Sequence, residues 1–449
     1  MSFPRRHTRP EAFERHARRS GALRRAMAAV LAGGILGSCT DADVTGVGRE
    51  LIAGGVVRTV EIVLPAEAFL LSDSTLAGFS RASGAVTLLT LDAAAGLEAR
   101  GAFRFGAAPS EIEVATDSTT IVEDTLATLV GARLEVVLDS LSRAPGDSAM
   151  LVAAAIQEPW DPATATWENR VDSAFVTTPW SVPGGGAAAP VDSAPWIAGT
   201  DSVSFDVDSA TAVAWTDTTD LGRGALLSTL TDGARLEVAN AVLWLRFRPS
   251  VLPDTIVEVR SGAAGAGRTT LLDAPPPPGD VLLIGGAPAH RAFFRMAPGL
   301  DTLPIPCPEP GVECGLTLAD ADLTFAGLEL TATPFSGLPA LAHTTVLAAR
   351  GVVPDPRFPL SRAPLGPSNG STEVLADAAG GVGDPLITVP VTDFLNAFIE
   401  GDEDSGDRFA VASLAEGFRF GTIAVRRAGH PDGPRLRLIL TVASPQEIR

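Results

Sequence analysis

Short runs of alternating polar and apolar residues restrict the fold of this chain more than any other feature. Examples are residues 133–138 (RLEVVL), 202–207 (SVSFDV) and 435–442 (RLRLILTV), with Gly, Pro and Asp residues between such runs. A period of two places one face of a strand in the core and the other in solvent. The best helical pattern is short, residues 391–400, with Thr392 as the expected N-cap. The sequence therefore predicts an all-β fold built from antiparallel β-sandwiches.

The second half of the chain repeats a pattern of the first half. Residues 204–235 align without a gap on residues 388–419 at a constant offset of 184. Repetition at a fixed offset is the signature of duplicated structural units. Matched positions are Val207 with Val391, Gly222 with Gly406, Leu230 with Leu414, Gly233 with Gly417 and Arg235 with Arg419.

The repeat leads to a prediction of two tandem sandwiches. We expect the first at residues 56–260 and the second, a divergent copy, at 281–444. Between them, residues 261–280 contain a Gly/Ala run and then four consecutive prolines. Such a composition is typical of a linker with a flexible part and a stiff part.

The first 38 residues have the build of an export signal. Eight arginines and two glutamates precede or flank an apolar run at 26–36 that is too short to cross a bilayer as a helix. The run ends in Leu36-Gly37-Ser38-Cys39, which resembles the lipobox of bacterial lipoproteins. This resemblance implies that residues 1–38 are removed and that Cys39 is acylated.

The residues after Cys39 predict how the protein is held. We expect residues 39–55 to be a tether between the lipid and the first sandwich. Thr40 is not the acidic residue that, in lipoproteins of this kind, is linked with retention in the inner membrane, so the outer membrane is favoured. More than one acyl chain is needed for stable anchoring, and the resemblance implies a multiply acylated cysteine.

The charge of the chain excludes one class of partner. The net charge is −19, and the export signal contributes +6, so the cleaved chain carries −25. So acidic a surface repels phosphate backbones, and nucleic-acid binding is not expected. The chain has no Tyr, so an aromatic binding platform must use Trp or Phe.

Two cysteines remain after Cys39. Cys307 and Cys314 enclose a short loop, and disulfides persist in exported proteins, so we predict that these two residues form a disulfide. The alternative is a pair of metal ligands, but no His or further Cys lies nearby in the sequence.

Residues 100–250 resemble the DNRLRE-type domains of secreted bacterial proteins, which are similar to carbohydrate-binding modules of jelly-roll shape. The resemblance rests on the strand at 132–138, on a double-Trp segment with Trp160, Thr166 and Trp167, and on the strand at 203–208. It implies a jelly-roll form of sandwich. The second copy lacks the double-Trp segment and has residues 352–356 in its place.

The tryptophans allow two interpretations. Trp160 and Trp167 are large rings that can plug the open end of a sandwich, or alternatively stack on a ligand. Trp180 and Trp196 flank the glycine- and alanine-rich loop 181–190. On an exposed loop these two rings can stack on the apolar face of a sugar; the alternative is that they fold back and cover their own loop.

Other chemical signals are weak. The turn at 400–407 gathers five carboxylates, which favours a solvated acidic hairpin over a calcium site because the regular spacing of calcium loops is missing. Residues 366–370 match the letters of a nucleophile elbow, but prolines surround them. The remaining histidines, His290, His343 and His430, are widely spaced. We predict no catalytic residues, no metal site and no cofactor.

These observations together favour a non-catalytic, lipid-anchored protein of the cell envelope. Its tandem sandwiches would bind polysaccharide or mediate adhesion. The alternative is a structural spacer of the envelope or matrix without a small ligand, and an uncharacterised hydrolase is a third and more remote one. The sequence leaves the oligomeric state open.

Overall fold

The computed structural model describes most of the chain after the tether. The described residues are 57–77, 86–173, 175–218, 224–261, 267–287, 289–306, 315–335, 338–339, 341, 343–353, 360, 363–376, 382–401, 406–417 and 419–443. The export signal, the acyl-acceptor Cys39 and the cysteine pair Cys307 and Cys314 lie outside them. Residues 59–442 form one compact unit.

The described residues are mostly strands. The first part of the chain contains β1 (Val57–Pro65), β2 (Leu70–Ala77), β3 (Thr87–Asp92), β4 (Leu97–Phe103), β5 (Ile112–Ala115), β6 (Ile121–Asp124), β7 (Thr128–Leu138), β8 (Ser148–Ile156), β9 (Asn169–Asp172), β10 (Thr177–Pro179), β11 (Ala189–Ile197), β12 (Ser202–Asp208), β13 (Gly224–Thr229), β14 (Ala234–Arg248), β15 (Val257–Arg260) and β16 (Arg268–Asp273). The second part contains β17 (Val281–Gly285), β18 (His290–Met296), β19 (Asp322–Thr333), β20 (Thr345–Val352), β21 (Leu365–Val374), β22 (Leu386–Pro390), β23 (Arg408–Ser413), β24 (Thr422–Arg426) and β25 (Arg435–Ala443). The α-helices are α1 (Ala66–Phe69), α2 (Ser209–Thr216) and α3 (Thr392–Ile399).

Eight antiparallel strands of the first half form a jelly roll. Their hydrogen-bonded order is β12-β7-β14-β3-β4-β13-β8-β11, which corresponds to two four-stranded sheets joined where β3 pairs with β4. The alternation seen in the sequence is preserved, because β12 buries Val203, Phe205 and Val207 and exposes the residues between them. The all-β sandwich prediction is therefore confirmed.

The second half repeats this topology. Its order is β22-β19-β24-β17-β18-β23-β20-β21, so each strand has a counterpart in the same chain order. The offset of 184 carries Gly224–Thr229 onto Arg408–Ser413, the full lengths of β13 and β23. The long strand β14 corresponds to β24 and β25 together, and both of these pair with β19.

Register confirms that β4 and β18 are equivalent strands. Ala225 of β13 lies opposite Phe103 of β4. The offset of 184 aligns Ala225 with Phe409, and Phe409 lies opposite Phe294 of β18. Phe103 and Phe294 therefore occupy the same position in the two jelly rolls.

The strand pairing differs from the predicted sandwich boundaries. Strands β1 and β2, placed by the sequence in the first sandwich (56–260), join the second sheet, where β1 borders β25 and β2 pairs with β18. Strand β16 lies within the predicted linker (261–280), yet it pairs with β4 along its whole length. Leu271 of β16 is fully buried, so the described part of this segment belongs to the first jelly roll and is not a spacer.

The two strands that precede each jelly roll are thus exchanged between the rolls. We call β1 and β2 the first leading pair, and β15 and β16 the second leading pair. The first leading pair precedes the first roll but completes the second. The second leading pair precedes the second roll but completes the first, through β15 on β14 and β16 on β4.

The jelly rolls also share apolar contacts. Leu88 of β3 packs with Ala287 and Phe420 from the second half, and Leu97 of β4 packs in a cluster with Leu283. These leucines point away from the interior of their own roll, where Leu89 is buried instead. The outer faces of the two sheets therefore form a further core between the rolls.

Helix α3 confirms the predicted helical segment but not its cap. The helix begins at Thr392, so this residue is the first helical position and Val391 is the N-cap. The Thr392 hydroxyl instead accepts a hydrogen bond from the Ala326 N–H, at 2.9 Å. No helix within the described residues has the length and apolarity required to cross a bilayer.

A buried carboxylate secures the first leading pair. Asp73 of β2 has a side chain that is 4% exposed, and its Oδ1 accepts hydrogen bonds from Arg427 Nη2 at 2.7 Å and Nε at 3.0 Å. Its Oδ2 accepts from the Ala428 N–H at 2.7 Å. The carboxylate therefore ties β2 to the segment that follows β24.

We predict that Asp73→Ala lowers the free energy of unfolding by about 2 kcal/mol, since Arg427 loses a charged partner and remains only one-third exposed. Urea denaturation measures the change. The control is Glu61→Ala, which removes a more exposed carboxylate from Arg437 and should change stability by less than about 0.5 kcal/mol. Equal effects of the two substitutions would contradict the prediction.

Candidate functional site

The double-Trp segment covers the outer face of the sheet formed by β4, β13 and β8, because the residues under it alternate along these strands with those of the interior core. Trp160 is fully buried and packs in a cluster with Ile156, Leu226 and Trp180, while Trp167 is partly buried at its edge. We call Trp160, Trp167 and Trp180 the tryptophan plug. Rings of this size bury on the order of 200 Å² each, so the plug contributes strongly to the stability of this sheet.

Thr166 organises the backbone of the plug. Its hydroxyl oxygen accepts a hydrogen bond from the Asn169 N–H at 3.1 Å. Its carbonyl oxygen accepts one from Trp180 Nε1 at 2.9 Å. The motif residue Thr166 thus connects the double-Trp segment to the ring of Trp180.

The glycines after Trp180 let the loop 181–190 lie on the plug. Gly184 has φ of 83°, and a Cβ atom built there would stand 2.7 Å from the Trp167 ring. The Gly184 N–H donates to the Trp167 carbonyl at 2.7 Å, and the Arg100 guanidinium lies 5.0 Å from the Trp167 ring centroid. This loop is therefore packed against the roll.

Of the two alternatives for Trp180 and Trp196, the structure supports inward-folded rings and not an exposed stacking platform. The two residues are 4% and 3% exposed. Trp196 donates its Nε1–H to the Thr200 carbonyl at 3.0 Å and belongs to the main core of the first roll. Both rings fold inward, because burying their apolar area is more favourable in free energy than leaving it in contact with water.

A different tryptophan reaches the outer surface of the sheet. Trp244 lies on β14, between Arg260 of β15 and Arg133 of β7, and Asp206 of β12 follows Arg133 in the same row. The Trp244 ring is half-buried, with the Arg133 guanidinium 5.7 Å from its centroid. Glu135 Oε2 accepts a hydrogen bond from Trp244 Nε1 at 2.7 Å, which sets the orientation of the ring.

Charged side chains surround this ring. Glu258 bridges Arg133, at 3.1 Å, and Arg246, at 3.0 Å. Arg246 also pairs with Asp206 at 2.9 Å. We call the surface formed by Trp244 and these charged residues, Arg133, Glu135, Asp206, Arg246 and Glu258, the Trp244 face.

Each charge on the Trp244 face is held by its neighbours. Hydrogen bonds from Arg133 and Arg246 hold the pKa of Glu258 below its usual value. The same contacts with Glu258 raise the pKa of Arg133 and of Arg246. Glu258 therefore stays ionised into mildly acidic solution, and the face presents an ordered set of donors and acceptors beside one aromatic ring.

The Trp244 face was missed by sequence reasoning, although a signal was present. Along residues 243–247, Leu243, Leu245 and Phe247 are buried and alternate with Trp244 and Arg246. The period of two alone places Trp244 on the outer face. The second roll does not repeat the ring, because Arg437 lies on the corresponding strand β25 and pairs with Glu61 at 2.8 Å.

A second charged cluster lies between the jelly rolls. Glu237 of β14 is 2% exposed and is paired with Arg419 from the second half, which also reaches Asp139 at 3.3 Å. Burial raises the pKa of Glu237, although Arg419 opposes the shift. Burial and, to a smaller extent, the charge of Arg419 lower the pKa of His343. This cluster adds a specific ion pair to the apolar contacts between the rolls.

Within the described residues, the other candidate residues of the sequence form no arrangement typical of an enzyme site. Ser368 belongs to the segment 366–370, whose sequence matches a nucleophile elbow. It lies inside strand β21, and its hydroxyl donates to the Gly370 carbonyl at 3.1 Å. A nucleophile elbow instead needs a turn from strand to helix. Residues 402–405 of the acidic turn lie outside the described residues. Within the described part of the chain, no group of three or more His, Cys, Asp or Glu is arranged to hold a metal ion.

Comparison with known proteins gives little. No protein-family model matches the chain, and no curated protein matches it. Similar solved structures include the VP2 subviral particle of infectious bursal disease virus, with 11% identity over 87% of this chain and 79% of that chain and a TM-score of 0.11. The Gx strain of the same virus gives 12% identity, the same coverage and a TM-score of 0.10. Scores this low carry no argument about fold or function.

The tryptophan plug leads to a stability prediction. Trp160→Ala should lower the free energy of unfolding by about 3–5 kcal/mol, because the fully buried ring leaves a cavity. The matched control is Phe175→Ala, which removes a ring that is 97% exposed and should cost less than about 0.5 kcal/mol. Denaturant unfolding followed by far-UV circular dichroism measures both, and a small effect at Trp160 would contradict the plug.

Proposed function

We propose that this chain is a non-catalytic lipoprotein of the bacterial cell envelope that is anchored through Cys39. The outer membrane is its favoured location. Its two jelly rolls form one rigid spacer. The observation that carries the proposal is the double connection between the rolls: their leading pairs are exchanged, and their outer sheet faces share a core. A spacer must transmit position from its anchor to its far end, and a pair of interlocked rolls does this better than two domains on a flexible linker.

Several contacts support the rigidity of the pair. Leu88 and Leu97 of the first roll are each 1% exposed because residues of the second half cover them. The pair of Glu237 and Arg419 crosses the same boundary. These contacts resist bending, since any hinge motion would expose apolar surface and separate a buried carboxylate from its cation.

The anchor can be tested directly. Cells expressing the chain and fed a labelled palmitate analogue should incorporate label into the protein, whereas Cys39→Ala should lose the label and leave the membrane fraction. The control is Cys307→Ser, which removes a cysteine outside the lipobox and should label like the unmodified chain. Equal labelling of Cys39→Ala and the unmodified chain would refute a lipid anchor at this residue.

The second candidate function is binding of a neutral polysaccharide, and the Trp244 face favours it. A sugar ring can place its apolar side on Trp244, while hydroxyl groups meet the carboxylates and guanidiniums around it. With Arg260, which lies opposite Trp244 on β15, three arginines oppose three carboxylates, so the surface around the ring is balanced in charge and suits an uncharged glycan.

Affinity gel electrophoresis tests this candidate. The chain should be retarded in at least one of four gels cast with laminarin, dextran, xylan or hydroxyethyl cellulose. Trp244→Ala should weaken that retardation at least tenfold, about 1.4 kcal/mol. Phe175→Ala, the loss of another aromatic ring from the surface, should leave it unchanged. Retardation in none of the gels, or equal retardation of Trp244→Ala, would favour the spacer alone.

A further inference from the structure

The leading pairs occupy equivalent sites on the two jelly rolls. Strand β16 places Arg268 opposite Phe103 of β4. Strand β2 places Asp73 opposite Phe294 of β18. Since Phe103 and Phe294 hold the same position in the two rolls, Arg268 and Asp73 are equivalent positions of the two leading pairs. We call the edges that receive these strands the closing sites.

A side-chain contact is repeated in both closing sites. Thr270 Oγ1 of β16 accepts a hydrogen bond from the Leu88 N–H of β3 at 3.1 Å. Thr75 Oγ1 of β2 accepts one from the Leu283 N–H of β17 at 2.9 Å. In each roll, therefore, a threonine of the borrowed strand satisfies a backbone donor next to the edge that it covers.

Charge makes the two closing sites different. In the second roll, Asp73 meets Arg427, whereas in the first roll Arg268 donates to the Ala239 carbonyl at 2.8 Å. If the second leading pair lay on the second roll, Arg268 would face Arg427. If the first pair lay on the first roll, the Asp73 carboxylate would approach the Ala239 carbonyl without a cation. Both errors carry an electrostatic penalty, so each site selects its own strands.

Each closing site distinguishes the two leading pairs by their amino-acid sequences. The charge contacts therefore do not depend on which molecule supplies the strands. Only eight residues, 78–85, separate β2 from the first described residue of the first roll, Val86. This connection is what assigns the first leading pair to its own chain. The contacts of Asp73 and Thr75 with the second roll are the same for any copy that presents them.

We propose that the closing site of the second jelly roll accepts β1 and β2 of a second copy of this chain, and that two copies exchange these strands reciprocally to form a symmetric dimer. Exchange of identical elements is a low-cost route to a dimer because the exchanged strands pair in the dimer just as they pair in the closed monomer. The interaction surface is thus the edges of β18 and β25, and the partner segment is residues 57–77.

Concentration decides between the closed monomer and the exchanged dimer. A short connection gives the chain's own strands an effective concentration of the order of millimolar, so dilute folded protein stays closed. Exchange also requires the β2–β18 ladder to open, which makes it slow once the protein has folded. Refolding at high chain concentration removes both obstacles. The proposal does not depend on the lipid anchor or on the spacer function.

A disulfide trap tests the exchange. Ser72 of β2 and Arg295 of β18 are facing residues, and both are accessible. Facing residues of antiparallel strands lie within the Cα separation that a disulfide spans. The full chain, with Cys39→Ala, Cys307→Ser and Cys314→Ser, is prepared in two versions that carry either Ser72→Cys or Arg295→Cys.

The two versions are unfolded together, refolded at increasing chain concentration and oxidised. We expect a disulfide-linked heterodimer whose share rises with concentration, because its formation requires β2 of one molecule on β18 of another. A chain carrying both substitutions, refolded dilute, should instead form the bond within one molecule. The collision control combines Ser72→Cys with Ser193→Cys, an exposed position on β11 of the first roll.

The proposal is overturned if the 72/295 mixture gives no more heterodimer than the 72/193 control at any concentration. It is also overturned if the chain carrying both substitutions fails to form its internal bond, since β2 would then not lie on β18. A heterodimer that forms equally fast on mixing two separately folded proteins would show contact between closed molecules, and would likewise contradict strand exchange.

Discussion

Each jelly roll has backbone edges that its own stretch of chain does not cover. Strand β4 continues past the end of its pairing with β3, and β18 touches its hairpin partner β17 only at Gly285. Unpaired backbone N–H and C=O groups at a strand edge cost free energy when they are buried, and they promote aggregation when they are exposed. The leading pairs remove this problem, but each does so for the other roll. The architecture therefore depends on the pairing of β16 with β4 and of β2 with β18.

This exchange joins the first strands of the chain to its last ones. Strand β1 borders β25, so the second roll is built from both ends of the described chain, and the first roll lies between them in sequence. The shared core around Leu88 and Leu97 and the buried Glu237 follow from the same geometry, because the exchanged strands hold the two sheets together. Rigidity, the property on which the spacer proposal rests, is a consequence of strand order.

The sequence predicted the fold class and the duplication but not the connections. Alternation and the offset of 184 act within each roll, and they placed β12, β13, β22 and β23 correctly. Nothing local in β1 or β2 distinguishes pairing with β4 from pairing with β18, because the selection rests on Asp73 meeting Arg427 across more than 350 residues. The glycine run near residue 261 suggested a linker, whereas β16 immediately after it is a strand with Leu271 in the core.

The candidate sites show the same limit. A structural role for Trp160 was among the sequence interpretations, but the expected place was the open end of the sandwich, whereas the ring covers the outer face of a sheet. The sequence left open whether Trp180 and Trp196 are exposed or fold back, because it does not show that the glycines of their loop let it pack closely on Trp167 and Leu226. The outward position of Trp244 could be predicted from the alternation alone. The binding surface around it could not, because Glu135 and Glu258 reach it from other strands.

The exchanged strands make the two rolls one cooperative unit of unfolding. All six tryptophans belong to the first roll, so their fluorescence reports its unfolding alone. Hydrogen exchange of peptides from β20 and β23, measured by mass spectrometry across the same urea series, reports the second roll. Because the two rolls unfold together, the two signals should have coincident midpoints. Exchange of the second roll at a clearly lower urea concentration, with tryptophan fluorescence still native, would contradict it.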